Sequence, residues 1–282
     1  MLTVVTLPPV ADGGPLDGAI RFVARARGEE LASGELLTWS NLGDETGRLI
    51  TVRWADGQAT AARAVVGAAI GAAEPGTELH LTANAEVDDR IGERLALFES
   101  CGFRLWQEKE GFWWADTGQE LPPPADVTVR TIADVGPGRY AQVVASCTAG
   151  TLDRIDADAI ASMGAAGWAA ALIGDAARPE EQDIWFIVGN PGGEAVGYIA
   201  VGAFGHDTGT ICHVGVAAGH RGHGYVDQLL RIANRAARAR GWAGMLSDVD
   251  VENRPMLAAM ARNGHRAGVR PWHRWMYRRV AT

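Results

Sequence analysis

One stretch, Thr208 to Gly241 (TGTICHVGVAAGHRGHGYVDQLLRIANRAARARG), constrains this chain more than any other. Ile211, Val214 and Val216 are strand formers on a half-buried surface, so Thr208 to Val216 is expected to be a strand. Leu229, Leu230, Ile232, Ala233, Ala236 and Ala237 recur at helical spacing and give the next segment one apolar face. Between the two lies His220-Arg221-Gly222-His223-Gly224-Tyr225. Glycines let a backbone approach a ligand closely, and a helix start leaves its first amide hydrogens unpaired. With Arg221 beside them, such amides make a site for a pyrophosphate; the plainer alternative is a basic turn that starts a surface helix. No G-x-x-x-x-G-K-[ST] occurs, and the loop is not G-x-G-x-x-G, so neither a Walker loop nor a dinucleotide fold is indicated.

The run V-G-V-x-x-x-x-R-G-x-G, from Val214 to Gly224, resembles the acetyl-CoA-binding core of the GCN5-related N-acetyltransferase (GNAT) superfamily. The stretch SDVDVENRPMLAAMARNGH, Ser247 to His265, is similar to that family's next strand and helix. Together they cover roughly the last half of the chain. The resemblance implies that acetyl-CoA, or another acyl-CoA, is held along Val214 and Val216 and by the backbone amides of Arg221, Gly222, His223, Gly224, Tyr225 and Val226. It implies that the backbone N–H of Val214 polarises the thioester carbonyl where the central strand splays from its neighbour. Asn253 would contact the cofactor arm or serve as an ordinary helix N-cap.

Three positions depart from the family pattern. Val226 stands where Gly or Ala is usual, Thr210 where several relatives carry a Glu general base, and Met260 where many carry a proton-donating Tyr. Neither Thr nor Met can do that work at neutral pH. The candidates left are His213, which by strand alternation points to the face opposite Val214, and Asp248, Asp250 and Glu252 near the expected mouth of the site. Those carboxylates act through water or simply cap a helix. Asp153 and Asp156 fall in the loop that lines the acceptor side in this family; they bind a cationic substrate or are solvated loop carboxylates. Trp168 and Trp272 are candidates to flank an acceptor pocket.

Length and composition set the wider bounds. At 282 residues the chain suggests about two domains, and 47% hydrophobic with 21% charged residues is ample for packed cores. A net charge of -8 argues against a nucleic-acid partner and favours cationic or amine substrates. Cys101, Cys147 and Cys212 are odd in number and lack C-x-x-C spacing, so neither a disulfide framework nor a metal site is expected. The beginning, MLTVVTLPPVADGGP, has no basic region before an apolar core, and apolar stretches such as Ala61 to Ala73 are too short to span a bilayer. A cytoplasmic protein without a membrane partner is the expectation.

The first half reads as a strand (Leu2–Leu7), a helix (Leu16–Leu37), a strand (Arg48–Ala55), a helix (Ala59–Ala73), a strand (Glu78–Ala83), a helix (Arg90–Ser100) stopped by Gly102, and aromatic-rich strand from Arg104 to Trp114. That order echoes the second half, where Pro137–Ser146 and Ala157–Ile173 read as helices. One constant offset puts Gly102 on Gly264, Trp113 on Trp275, Val52 on Val214 and Trp54 on Val216. Without a gap, Arg221, Gly222 and Gly224 fall on Ala59, Thr60 and Ala62, which offer neither glycine nor charge. The expected class is therefore α/β (α+β): two tandem GNAT-like units, each a mixed, mostly antiparallel sheet flanked by helices, the N-terminal one degenerate. Boundaries are expected at 1–116 and 127–282, with the Pro-rich stretch 117–126 as linker. The expected activity is transfer of acetyl from acetyl-CoA to a primary amine of a small molecule, by a monomer or homodimer. Alternatives are a non-catalytic acyl-CoA-binding module and a protein lysine or N-terminal acetyltransferase.

Overall fold

The structure, a computed structural model, describes residues 1–7, 19–41, 44–84, 90–176, 179–268 and 273–281. The first half forms β1 (Leu2–Leu7), β2 (Ile20–Ala26), β3 (Glu29–Asn41), β4 (Asp44–Trp54), α1 (Ala59–Ala72), β5 (Glu78–Asn84), α2 (Ile91–Ser100) and β6 (Arg104–Ala115). The second forms β7 (Thr128–Thr131), α3 (Ile132–Val135), α4 (Pro137–Ser146), α5 (Arg154–Ala176), β8 (Trp185–Gly189) and β9 (Ala195–Ala203). It continues with β10 (Thr208–Val216), α6 (Tyr225–Ala239), β11 (Gly244–Asp250), α7 (Arg254–Arg262), β12 (Arg266–Ala267) and β13 (Arg274–Val280).

Two compact units result, residues 1–108 with the stretch from Arg274, and Lys109–His273. In the first, β1 to β5 lie side by side in chain order and β13 follows β5; β4·β5 is the parallel pair. In the second, β7 to β11 lie in the order β7, β8, β9, β10, β11, and Lys109–Ala115 of β6 follows β11; here β10·β11 is parallel. Each sheet is mixed and mostly antiparallel, as expected. The unit boundaries differ from those drawn at 116 and 127, because each half contributes its last strand to the sheet of the other. The Pro-rich stretch lies within the second unit and carries no regular structure.

The cores follow from the apolar pattern. Ala61, Ala62, Val65, Val66 and Ala69 form the buried face of α1. Gly34 on β3 lets that helix in, since a Cβ there would meet Val65 at 2.7 Å. Leu229, Leu230, Ile232, Ala233, Ala236 and Ala237 do the same for α6, where a Cβ on Gly197 would crowd Leu229 at 3.2 Å. Burial of such side chains is the main force holding each unit together.

Three expectations are corrected. The described part of Leu16–Leu37 is a hairpin, not a helix: Arg27 and Gly28 have φ of 51° and 85° and turn β2 into β3, with Ala26 opposite Glu29. The helix expected from Ala157 to Ile173 is interrupted by non-helical, positive-φ backbone at Gly164, φ 76° and ψ 163°. Arg154–Gly174 is long and apolar enough by composition to cross a membrane, but that break leaves two pieces, each well short of about 20 residues. Finally, the repeat is not ungapped. Ala217–Gly224 connects β10 to α6 with eight residues, whereas Ala55–Gln58 connects β4 to α1 with four. The residues of the glycine loop thus have no counterparts in the first unit, rather than falling on Ala59, Thr60 and Ala62.

Candidate active site

The site begins where the central strand of the second unit loses its parallel neighbour. Pairing of β10 with β11 runs from Thr208–Gly244 to Thr210–Leu246 and stops. A bulge against β9 between Ile211 and His213 turns the strand at the same level. Beyond it, Ala217 N–H donates to Val196 at 2.9 Å, in register with His213↔Ala200 and Gly215↔Tyr198. Antiparallel ladders alternate, so the N–H and C=O of Val214 and Val216 point away from β9, into the gap. Val214 therefore presents an amide hydrogen where the sheet has opened.

The glycine loop closes one end of that gap. Gly222 and Gly224 have φ of 80° and 79°, conformations that L side chains avoid, and neither has an atom within 4 Å of a virtual Cβ. Among the described residues, no protein acceptor pairs with the amides of Gly222, His223, Gly224, Tyr225 and Val226. They lie at the start of a 15-residue helix, where the helix dipole favours an anion. Tyr225 packs edge-on to His220 at 6.2 Å and tilted to His223 at 6.4 Å.

Arg221 does something the sequence reading did not anticipate. Its guanidinium donates to four backbone carbonyls: Val216 at 3.0 Å, Gly150 at 3.2 Å, Cys147 at 3.2 Å and Ala149 at 2.7 Å. The planar fork ties the turn after α4 to the end of β10, so the side chain of Arg221 shapes the site, and its own amide donates to the Ala218 carbonyl at 3.4 Å rather than joining the unpaired ones. Asn253 is an N-cap, its side-chain oxygen accepting from Met256 N–H at 3.3 Å, and it also lines the cavity.

A cavity of about 390 Å³ runs along these parts. Val214, Gly215 and Val216 form its floor, Arg221 to Val226 one end, and Asn253, Pro255 and Met256 the other wall. Cys147, Gly150, Thr151 and Leu152 close the third side. Burial pushes the Cys147 thiol up to about 11, so it is no nucleophile at neutral pH. Met260 is fully buried on α7 and Thr210 sits at the last β10·β11 pair. The unpaired amides and open strand edge along the cavity fit an extended anionic thioester such as an acyl-CoA, with Val214, Val216 and Gly222 to Val226 as the groups that would hold it.

The other face of the gap carries carboxylates. Lys109 on β6 reaches Asp153 at 2.9 Å and Asp248 at 3.3 Å. Asp153 also caps α5 by accepting from Asp156 N–H at 3.2 Å. Asp250 accepts from Glu252 N–H at 2.8 Å and Arg154 N–H at 3.4 Å, fastening the β11–α7 turn. Glu252 lies on that turn. His213 does face away from the side chain of Val214, onto Trp168 (ring centroids 5.7 Å apart) and Asp156 (3.9 Å). Burial pulls the His213 imidazole down to about 4, with Lys109 acting in the same direction, so it is neutral near pH 7. Burial, helped by the charge of Asp153, raises the Asp156 carboxyl to about 7. Trp272 lies outside the described residues. Lys109 was missed because it arrives on a strand contributed by the first half, which no local pattern announces.

Residues 162–265 match the acetyltransferase (GNAT) family. A GCN5-related N-acetyltransferase from Sphaerobacter thermophilus is 17% identical, with 96% of this chain and 83% of that one covered and a TM-score of 0.62. A tandem GNAT protein from the clavulanic acid biosynthesis pathway is 15% identical over 100% of this chain and 99% of its own, with a TM-score of 0.55. This is a tandem protein of the GNAT fold. A GNAT-family acetyltransferase from Colwellia psychrerythraea, 12% identical, matches at 0.58 with 99% of both chains covered. No curated protein matches. The GNAT family match falls wholly in the second unit and spans the strand gap, the glycine loop and Asn253.

Proposed function

We propose that the chain is an N-acyltransferase that moves acetyl from acetyl-CoA to an amine of a small molecule, using the second unit. The observation that carries this reading is the cavity with five unpaired amides at one end and the Val214 N–H in its open strand edge. An acyl-CoA supplies an activated thioester carbonyl. The amides of Gly222 to Val226 bind its pyrophosphate, and Val214 N–H stabilises charge developing on the carbonyl oxygen. The carboxylate face around Asp153, Asp156 and Asp248 suits a cationic acceptor. Holding both partners at one gap removes most of the entropic barrier to attack.

Calorimetric titration of acetyl-CoA into wild type and Gly222→Asp/Gly224→Asp tests this. The expected outcome is one site in wild type and no binding in the variant, whose side chains strain the loop and place carboxylates where the phosphates would sit. Binding unaffected by the substitutions would remove the glycine loop from the site. Binding without amine-dependent CoA release would leave an acyl-CoA-binding module.

A further inference from the structure

We infer that Asp156 takes the proton from the acceptor amine, an assignment that rests on the acyl-transfer reading above. Of the four aspartates on this face, three have their oxygens engaged: Asp153 by Lys109 and the start of α5, Asp248 by Lys109, Asp250 by two backbone amides. The Asp156 carboxylate accepts no hydrogen bond among the described residues. The His213 ring nitrogen nearest it is 3.9 Å away, too far to donate. Its side chain is 19% exposed, so it is both sheltered and reachable. It stands in the first turn of α5, four residues after Leu152, which lines the cavity, and against His213, the residue that precedes Val214. An amine entering the gap on the His213 side of β10 would meet that carboxylate.

The charged and titratable groups facing Asp156 are Lys109 and Asp153, His213 on β10 and Tyr198 on β9. Burial and Asp153 favour its protonated form while Lys109 opposes them, which poises the carboxyl near neutrality, where a general base is most effective. Asp156 accepts one proton from the substrate ammonium, leaving a neutral amine. The amine lone pair then forms the C–N bond as the C–S bond breaks. Sulfur keeps that electron pair and receives the second nitrogen proton, so an amide and a thiol result. Asp156 returns its own proton to solvent.

Three measurements on wild type, Asp156→Asn and Asp156→Glu test the assignment. In urea unfolding without cofactor, wild type should lose stability relative to Asp156→Asn as pH rises from 4 to 7. A carboxyl that titrates later when folded than when unfolded costs stability over that window. Acetyl-CoA binding by Asp156→Asn should match wild type. Amine-dependent release of CoA should fall roughly 100-fold or more at pH 7. The kcat/KM limb near pH 7 should vanish in Asp156→Asn and return in part in Asp156→Glu. Turnover and pH limb unchanged in Asp156→Asn would overturn the assignment alone, as would a stability difference that ignores pH. Wild type that binds acetyl-CoA yet acetylates no amine would overturn the acyl-transfer reading and this assignment with it.

Discussion

Both units build a strand that leaves its parallel neighbour after three residue pairs: β4 leaves β5 after Leu49–His80, and β10 leaves β11 after Thr210–Leu246. In the second unit the exposed edge lines a cavity. In the first, side chains of the same unit fill the place. Arg94 donates to the carbonyl of Val52 at 2.9 Å, and Arg90 to that of Trp54 at 2.9 Å. Their guanidinium groups stack over the Trp54 ring, 4.6 and 5.1 Å from its centre. Val52 and Trp54 are the counterparts of Val214 and Val216. A splayed strand carries backbone groups that must find partners, and a unit with no ligand has to supply them from its own side chains. The degenerate unit is therefore plugged as well as shortened.

The largest expected effect lies at the loop that distinguishes the two copies. Arg221→Ala removes the donor to four carbonyls and frees the turn at Cys147–Gly150 from β10. Acetyl-CoA affinity should drop roughly 100-fold, equivalent to about 2.7 kcal/mol. Arg221→Lys should fail to restore it, because a single ammonium cannot replace a planar fork holding carbonyls on several sides. If Arg221→Lys binds normally, charge rather than shape is what the position contributes, and the contrast between the units reduces to charge.

Opening the plug is the next test. Arg94→Ala leaves the Val52 carbonyl without that donor and takes one cation from Trp54, which should destabilise the chain by about 1–3 kcal/mol in urea titration. Acetyl-CoA stoichiometry should stay at one, because the four residues of Ala55–Gln58 leave no room for a glycine loop. A second binding site in this variant would show that the arginines alone silence the first unit.

Much of this was legible in the sequence. The β10–α6 stretch announced itself because apolar periodicity switches from two to helical spacing across a glycine loop, and the match of Val52 to Val214 located the second copy. The hairpin at Arg27-Gly28 was not legible: Ile20, Val23 and Ala24 also fit one side of a helix, and burial in a sheet overrode that pattern. The exchanged strands were hidden for another reason. β6 and β13 have similar aromatic patterns, so either satisfies either sheet locally, and only the three-dimensional pairing decides. The role of Arg221 was obscured by its charge, which suits a phosphate on paper, while the carbonyls that hold it come from residues some seventy positions earlier.

A final difference between the copies concerns acid. Burial holds His265 as well as His213 down to about 4, and the repeat places Phe103 and Thr51, which do not titrate here, at those positions. Unfolded histidine titrates near 6.5, so between about pH 6.5 and 4 the unfolded chain binds protons that the folded second unit refuses. Stability should accordingly fall as pH drops through that window, each histidine contributing about 1–2 kcal/mol by pH 5. His265→Phe copies the first unit. It removes the partner of Asn234, whose side-chain oxygen lies 3.1 Å from the imidazole, and should cost about 1–2 kcal/mol at pH 7.5. It also removes one refused proton, so the difference from wild type should narrow steadily on acidification. A gap that stays constant from pH 7.5 to 4.5 would mean that the buried imidazole is not what makes the second unit the acid-sensitive one.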